Sequence, residues 1–257
     1  MATGLFKYFP KDGDKLKWFT ENKILLTPPE YFNDPWDFRV RFQPHTDAQL
    51  EDEALKQQIP IEHLRQVVMA GDFSTEESRN YQKEIGKTVG VVSLAENPLD
   101  RVLWAHYAES HRGFVAEFWH NNEETADSFR LREGCFGVAA KVKYLELHEQ
   151  QPDCKRDNSN IEKILWTKNS EWDYEQEWRV VQLHDKAAPG LASDGKPRSL
   201  LRFEPKHLIR VIFGLRVCNT IEAKLREMLE RPEFKNVRKE RADLDPDTNK
   251  LITRALD

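Results

Sequence analysis

Ten residues late in the chain constrain its fold more than any other segment. Residues 172–181 read Trp-Asp-Tyr-Glu-Gln-Glu-Trp-Arg-Val-Val, so Glu175 and Glu177 stand among aromatic side chains and lead into an arginine and an apolar run. If a strand begins at Glu177, its period of two places Glu175, Glu177 and Arg179 on one face and apolar side chains on the other. Two acids and a base are poor core residues. We therefore predict that this strand forms one wall of a functional site.

The composition is that of a folded protein. Of the 257 residues, 39% are hydrophobic and 11% aromatic, which is too many for a disordered chain. The net charge of −5 gives no overall attraction for nucleic acid. Three cysteines without CxxC or zinc spacing indicate free thiols, and no apolar run approaches the ~20 residues of a membrane span. We expect a cytoplasmic protein with no membrane partner.

The order of predicted elements indicates an α+β fold. Strands and helices are interspersed without regular βαβ alternation, which favours a curved, mostly antiparallel sheet. Residues 47–87 are charged and glutamine-rich with scattered apolar positions, and we predict that they form a helical insertion. The sequence therefore predicts a single mixed domain over residues 1–257.

Apolar periodicity and capping residues set the predicted elements. A helix is predicted to open at Pro98, another to cover 158–168, and a third to cover 219–229 with Thr220 as its cap. The predicted strands cover 5–9, 89–94, 114–119, 178–183 and 208–213.

An acidic turn lies early in the chain. Asn33, Asp34 and Pro35 stand between Phe32 and Trp36, and the proline forces Asp34 out of the helical region. Asp34 suits an ordinary Asx-turn. The same rigid polar turn between aromatic side chains also suits the rim of a pocket, and both interpretations stay open.

Four stretches in this order resemble one bacterial family. They are Leu-Phe-Lys-Tyr at 5–8, Phe-Asn-Asp-Pro-Trp-Asp at 32–37, Val-Ser-Leu-Ala-Glu at 92–96 followed by Trp-Ala-His-Tyr at 104–107, and the segment from Lys168 to Arg179. Together they resemble the family catalogued as domain of unknown function 2971, which is akin to proteins found near abortive-infection phage-defence systems. The resemblance implies a phage-defence or toxin effector and fixes no reaction.

A second resemblance is to ADP-ribosyltransferases. That fold carries a basic residue on its first strand, a Ser or Tyr on a middle strand, and a Glu, often within Glu-x-Glu, that opens a late strand. Lys7 (or Tyr8), Ser93 and Glu177 match these positions in order. The resemblance implies the split sheets of that fold, NAD as substrate and no metal cofactor.

The resemblance also implies roles for named residues. Glu177 stabilises the oxocarbenium-like charge that develops as the nicotinamide–ribose bond breaks, Glu175 positions the acceptor, and Ser93 supports Glu177 or the ribose. NAD or a related nucleotide is bound by polar and aromatic side chains, with Tyr107 or Trp36 stacking on nicotinamide and Arg179 or Lys168 meeting the pyrophosphate. The residues assigned to NAD binding are Lys7, Tyr8, Asn33, Asp34, Trp36, Tyr107, Lys168 and Arg179.

Other interpretations of these residues stay open. Glu177 and Arg179 suit a structural salt bridge equally well. A nuclease-type effector would use Asp34, Asp37, Glu175 and Glu177 with Mg²⁺. A third alternative is a module that senses a nucleotide without turnover. The acceptor is a protein, a nucleic acid or water, and a toxin would also need a neutralising partner.

Overall fold

The computed structural model describes residues 4–38, 41–42, 46–69, 72–120, 131–146, 153–154 and 161–256. The contacts within the chain divide it into two compact units. The first unit comprises residues 1–27, 90–142 and 171–257, and the second comprises 28–89 and 143–170. Helices and strands are mixed along the chain, which confirms the predicted α+β class. The prediction of one domain with an insertion at 47–87 stays a prediction.

A nine-stranded sheet forms the centre of the first unit. Its strands run in the order β16-β15-β14-β5-β1-β4-β11-β7-β6. The pairs β1–β4, β1–β5, β5–β14, β6–β7, β7–β11 and β15–β16 are antiparallel, and β14–β15 is parallel. The strands are β1 (Leu5–Phe9), β4 (Val89–Ala95), β5 (Phe114–Phe118), β6 (Leu131–Gly134), β7 (Gly137–Lys141), β11 (Glu177–Leu183), β14 (Leu208–Phe213), β15 (Arg238–Leu244) and β16 (Leu251–Ala255). The predicted mostly antiparallel sheet is therefore confirmed, and the sheet is open.

The described residues of the first unit also form a small second sheet and three α-helices. The small sheet has the order β12-β13-β2. Its strands are β2 (Lys23–Leu25), β12 (Ala188–Leu191) and β13 (Pro197–Arg202), and the helices are α1 (Gly13–Thr20), α5 (Arg101–Tyr107) and α7 (Asn219–Leu229).

Apolar side chains cover both faces of β1, because alternate residues of that strand enter different core clusters. Leu5 and Phe9 belong to a first cluster that includes Phe19 of α1 and Phe114 of β5. The rings of Phe9 and Phe114 stack with their centroids 4.6 Å apart. Phe6 and Tyr8 belong to a second cluster with Leu103 and Trp104 of α5. The central strand is thus buried on both sides, as its mostly apolar sequence predicts.

One helix start and one helix cap differ from the predicted ones. The helix predicted at Pro98 begins only at Arg101, because Asp100 is the N-cap and accepts from the backbone N–H groups of Val102 and Leu103. The predicted cap Thr220 lies inside α7. The N-cap of α7 is Cys218, whose side chain makes no capping hydrogen bond.

The second unit carries α2 (Asp47–Gln57), α3 (Ile61–Met69), α4 (Asp72–Thr88) and α6 (Ile161–Leu165). The first three show that the described residues within 47–87 are mostly helical, as predicted. The short strands are β3 (Arg41–Phe42), β8 (Lys143–Leu145), β9 (Asp153–Cys154) and β10 (Thr167–Asn169).

The helix predicted at 158–168 is too long. Residues 158–160 lie outside the described part of the chain, and the helix ends at Leu165. Thr167–Asn169 then forms β10, which pairs with β8 in parallel register. Lys168 therefore lies on a strand, opposite Tyr144. Among the described residues, no helix is long and apolar enough to cross a membrane.

Candidate functional site

A buried acid–base pair opens strand β11. Glu177 is 3% exposed and Arg179 is fully buried. The Arg179 Nε donates to Glu177 Oε1 at 3.0 Å, and Nη2 donates to Oε2 at 3.1 Å. This two-point contact fixes the plane of the carboxylate and offsets part of the cost of removing both charges from water. The strand begins at Glu177. Glu177 and Arg179 also form the salt bridge that the structural interpretation of these residues predicted.

Glu175 reaches the same region by a different route. It ends a 3₁₀ helix, Ser170–Glu175, and the next residue, Gln176, has a φ of 44°. The prediction that Glu175 shares a strand face with Glu177 is therefore wrong, because the chain turns between them. The Glu175 side chain is buried, and its Oε1 accepts a hydrogen bond from the Tyr107 hydroxyl at 2.5 Å. Two carboxylates two residues apart are thus held by different partners.

Lys7 and Ser93 meet through the backbone. The Lys7 Nζ donates to the carbonyl oxygen of Ser93 at 3.0 Å. Burial lowers the pKa of Lys7 to about 8, with a further contribution from Lys15, and Glu177 opposes this shift. The predicted first-strand cation and middle-strand serine are therefore adjacent, and Lys7 is close enough to Glu177 for their charges to interact.

The side chain of Ser93 lies on the face opposite its neighbours. Val92 and Leu94 belong to the first core cluster, whereas Ala95 belongs to the second. Because side chains alternate along a strand, Ser93 shares the face of Ala95. The predicted support of Glu177 by this serine stays a prediction.

Glu96 is a residue that sequence reasoning missed. Its Oε1 accepts from the Trp178 indole Nε1 at 2.8 Å and from the Lys141 Nζ at 2.7 Å. Trp178 directly follows Glu177, and Lys141 is its register partner on β7. Glu96 therefore connects the end of β4 to the start of β11. Its place in the motif at 92–96 was the available signal, but nothing in the spacing indicated its partners.

Tyr8 contributes to the core rather than to an open cleft. Its hydroxyl donates to the Asn97 carbonyl at 2.7 Å, and its ring meets Trp104 edge-on at 5.6 Å. Burial is the main cause that raises the pKa of Tyr8 above its ordinary range. The assignment of Tyr8 to NAD binding stays a prediction.

The remaining predicted residues lie in the second unit. Asp34 is buried and accepts a hydrogen bond from the backbone N–H of Trp36 at 2.9 Å, so the predicted Asx-turn is present. Trp36 is 52% exposed and Asn33 is also exposed. Asp37 is fully buried, with its Oδ2 4.0 Å from the Nζ of buried Lys168. The predicted site residues thus divide between the two units.

The described histidines and acids form no metal centre. No group of three or more His, Cys, Asp or Glu side chains in the described ranges could hold a metal ion. His111 instead stacks on Trp104, with ring centroids 5.2 Å apart and planes within 5°. Burial lowers the pKa of His111, and Arg216 and Arg101 add to this effect.

The chain is an α+β protein with a buried acid–base cluster at the start of one central strand. Residues 103–180 match the sequence model of a family described as protein of unknown function (DUF2971). The match supports the predicted family resemblance over this segment, which contains Tyr107, Glu175, Glu177 and Arg179. No curated protein and no solved structure is significantly similar to the chain.

Proposed function

We propose that this protein is an NAD-consuming, ADP-ribosyltransferase-like enzyme in which Glu177 stabilises the oxocarbenium-like transition state. The main support is the pair of buried carboxylates, Glu175 and Glu177, each held by its own hydrogen-bond donor. Different partners give the two acids different environments, which is the usual basis for two acids to take two roles.

The chemistry requires a carboxylate near the ribose. Loss of nicotinamide leaves positive charge shared between the anomeric carbon and the ring oxygen. A fixed carboxylate in a site of low dielectric stabilises such charge more strongly than water does. Because Arg179 holds the plane of the Glu177 carboxylate, little reorganisation is needed as the charge develops.

Pairing with Arg179 is compatible with this role. A carboxylate has about four acceptor positions on its two oxygens. The Arg179 contact takes one position on each oxygen. Pairing with a guanidinium therefore does not by itself use up the acceptor capacity of a carboxylate.

Lys7 adds positive charge close to Glu177. With a pKa of about 8, it is mostly protonated at pH 7. A partly buried ammonium suits the phosphates of a dinucleotide. A role as phage-defence or toxin effector is part of this proposal and rests on the family resemblance. The acceptor is a protein, a nucleic acid or water.

Nicotinamide release from NAD by the purified chain tests the proposal, alone and with protein or nucleic-acid acceptors. Glu177→Gln keeps the shape of the side chain and removes its charge, and we expect it to lower the rate by about 10²–10³-fold. Glu227→Gln on the exposed face of α7 is the matched control and should keep the wild-type rate.

Two results would overturn the proposal. One is the absence of release by a folded wild-type chain under every condition. The other is equal release by the wild type and Glu177→Gln. Circular dichroism shows whether each variant is folded.

A further inference from the structure

Helix α5 is held firmly at its start. Asp100 caps it with hydrogen bonds of 2.8 and 2.9 Å. The Trp104 indole Nε1 donates to the Pro98 carbonyl at 2.8 Å, and Trp104 is fully buried. These contacts fix both the position and the rotation of a helix that carries Tyr107 as its last residue.

The turn after α5 fixes its other end. Glu109, Ser110 and His111 have φ values of 48°, 54° and 67°, a region that non-glycine residues rarely adopt. Such a conformation persists only where the surroundings determine it. Here the His111 N–H donates to the Trp104 carbonyl at 3.3 Å, and the His111 carbonyl accepts from the Arg216 N–H at 2.9 Å.

Tyr107 therefore presents its hydroxyl at a defined point. That hydroxyl donates to Glu175 Oε1, and the Glu175 side chain is only 5% exposed. A phenol that donates to a buried carboxylate favours its ionised form and fixes its orientation. The partner comes from 68 positions away, so the contact depends on the fold and not on local geometry.

We propose that Tyr107 is a positioning residue that orients Glu175 as the general base toward the attacking acceptor. This inference rests on the proposed function. As the glycosidic bond breaks, nicotinamide leaves with the bonding electrons as a neutral ring. The oxygen of water, or of an acceptor hydroxyl, forms the new bond to the anomeric carbon, and its proton passes to Glu175. Tyr107 keeps the carboxylate ionised and aimed for that transfer.

The test is the pH dependence of nicotinamide release by Tyr107→Phe. A carboxylate that loses a donor is protonated more easily, so the acid side of the profile should move to higher pH. We expect kcat to fall about tenfold or more, within the range of general-base catalysis, while KM for NAD stays unchanged. Tyr31→Phe, at a 70% exposed tyrosine, is the matched control and should keep the wild-type profile.

A double variant separates positioning from a merely structural role. If Tyr107 acts through Glu175, then Tyr107→Phe should not lower kcat any further in a chain that already carries Glu175→Gln. Should Tyr107→Phe fail to fold, Glu175→Asp withdraws the carboxylate from the hydroxyl and should move the acid side of the profile in the same direction.

The outcomes distinguish this inference from the proposed function. A wild-type chain that releases no nicotinamide overturns both. An active wild type whose pH profile and kcat are unchanged by Tyr107→Phe overturns only the role of Tyr107. If the effects of Tyr107→Phe and Glu175→Gln on kcat are fully additive, the role of Tyr107 is likewise overturned while the proposed function stands.

Discussion

The indole N–H of Trp178 donates a hydrogen bond to the carboxylate of Glu96, which lies 82 positions earlier in the chain. The same carboxylate oxygen accepts from Lys141. The Oε1 atom of Glu96, which follows β4, is thus bonded both to Trp178 of β11 and to Lys141 of β7. Trp178 is the residue directly after Glu177.

Removal of that oxygen should destabilise the protein. Glu96→Ala takes the acceptor away from Trp178, and a lost acceptor for a buried donor costs about 1–3 kcal/mol. Glu96→Gln keeps an acceptor oxygen and should cost less. Urea unfolding measures both, with Glu227→Ala as the exposed control. Equal stability of Glu96→Ala and the control would show that the contact contributes nothing.

Lys7 should make stability depend on pH. Its pKa is about 8 in the folded chain and 10.5 as the ordinary value, so between these values the unfolded chain binds more protons. The free energy of unfolding therefore increases with pH between these two values. Lys7→Met lacks this group, so the stability of the wild type relative to the variant should rise between pH 7.5 and pH 9.5. Denaturant unfolding at both pH values checks this, and a constant difference would contradict it.

The pair of Glu177 and Arg179 should be strongly coupled. Arg179→Met leaves a buried carboxylate without its guanidinium and should cost about 3–5 kcal/mol. The double variant with Glu177→Gln should be more stable than the sum of the single effects predicts. Arg254→Met breaks an exposed pair with Asp243 and should cost about 1 kcal/mol or less. Additive single effects in unfolding experiments would argue against coupling at the buried pair.

Gly113 should not tolerate a side chain. A Cβ there would lie 1.8 Å from the carbonyl oxygen of Phe9, which is backbone of the central strand. Gly113→Ala should therefore shift β1 and lower the melting temperature by several degrees. Gly13→Ala is the control, because a Cβ at the start of α1 meets nothing within 4 Å. Equal melting temperatures of the two variants in calorimetry would show that a Cβ at position 113 does not disturb β1.

Local sequence predicted the central strands well. β1, β4 and β5 are mostly apolar segments buried on both faces, and such segments are typical of strands inside a sheet. The start of β11 was predicted to within one residue, because Glu177 leads into a mostly apolar segment. These features depend on neighbours in sequence, which a single chain displays directly.

Other features depend on contacts across the fold. Glu175 does not share the strand face of Glu177 because Gln176 adopts a positive φ, and the residue type at 176 does not indicate that turn. Tyr107 was predicted to stack on nicotinamide, and its contact with Glu175 spans 68 positions. The helix predicted at 158–168 was cut short by the pairing of β10 with β8, whose residues lie far apart in sequence. Tertiary pairing overrides local propensity at each of these points.

The parallel pairing of β14 with β15 has a consequence for the order of folding. Parallel neighbours need a crossover, and α7 supplies it within one short stretch of chain. β1, by contrast, pairs with β4 and β5 from far along the sequence. Closing a short loop costs less entropy, so we expect β14, α7 and β15 to gain amide protection before β1 does. Pulsed hydrogen exchange during refolding would show the reverse order if β1 nucleates the sheet.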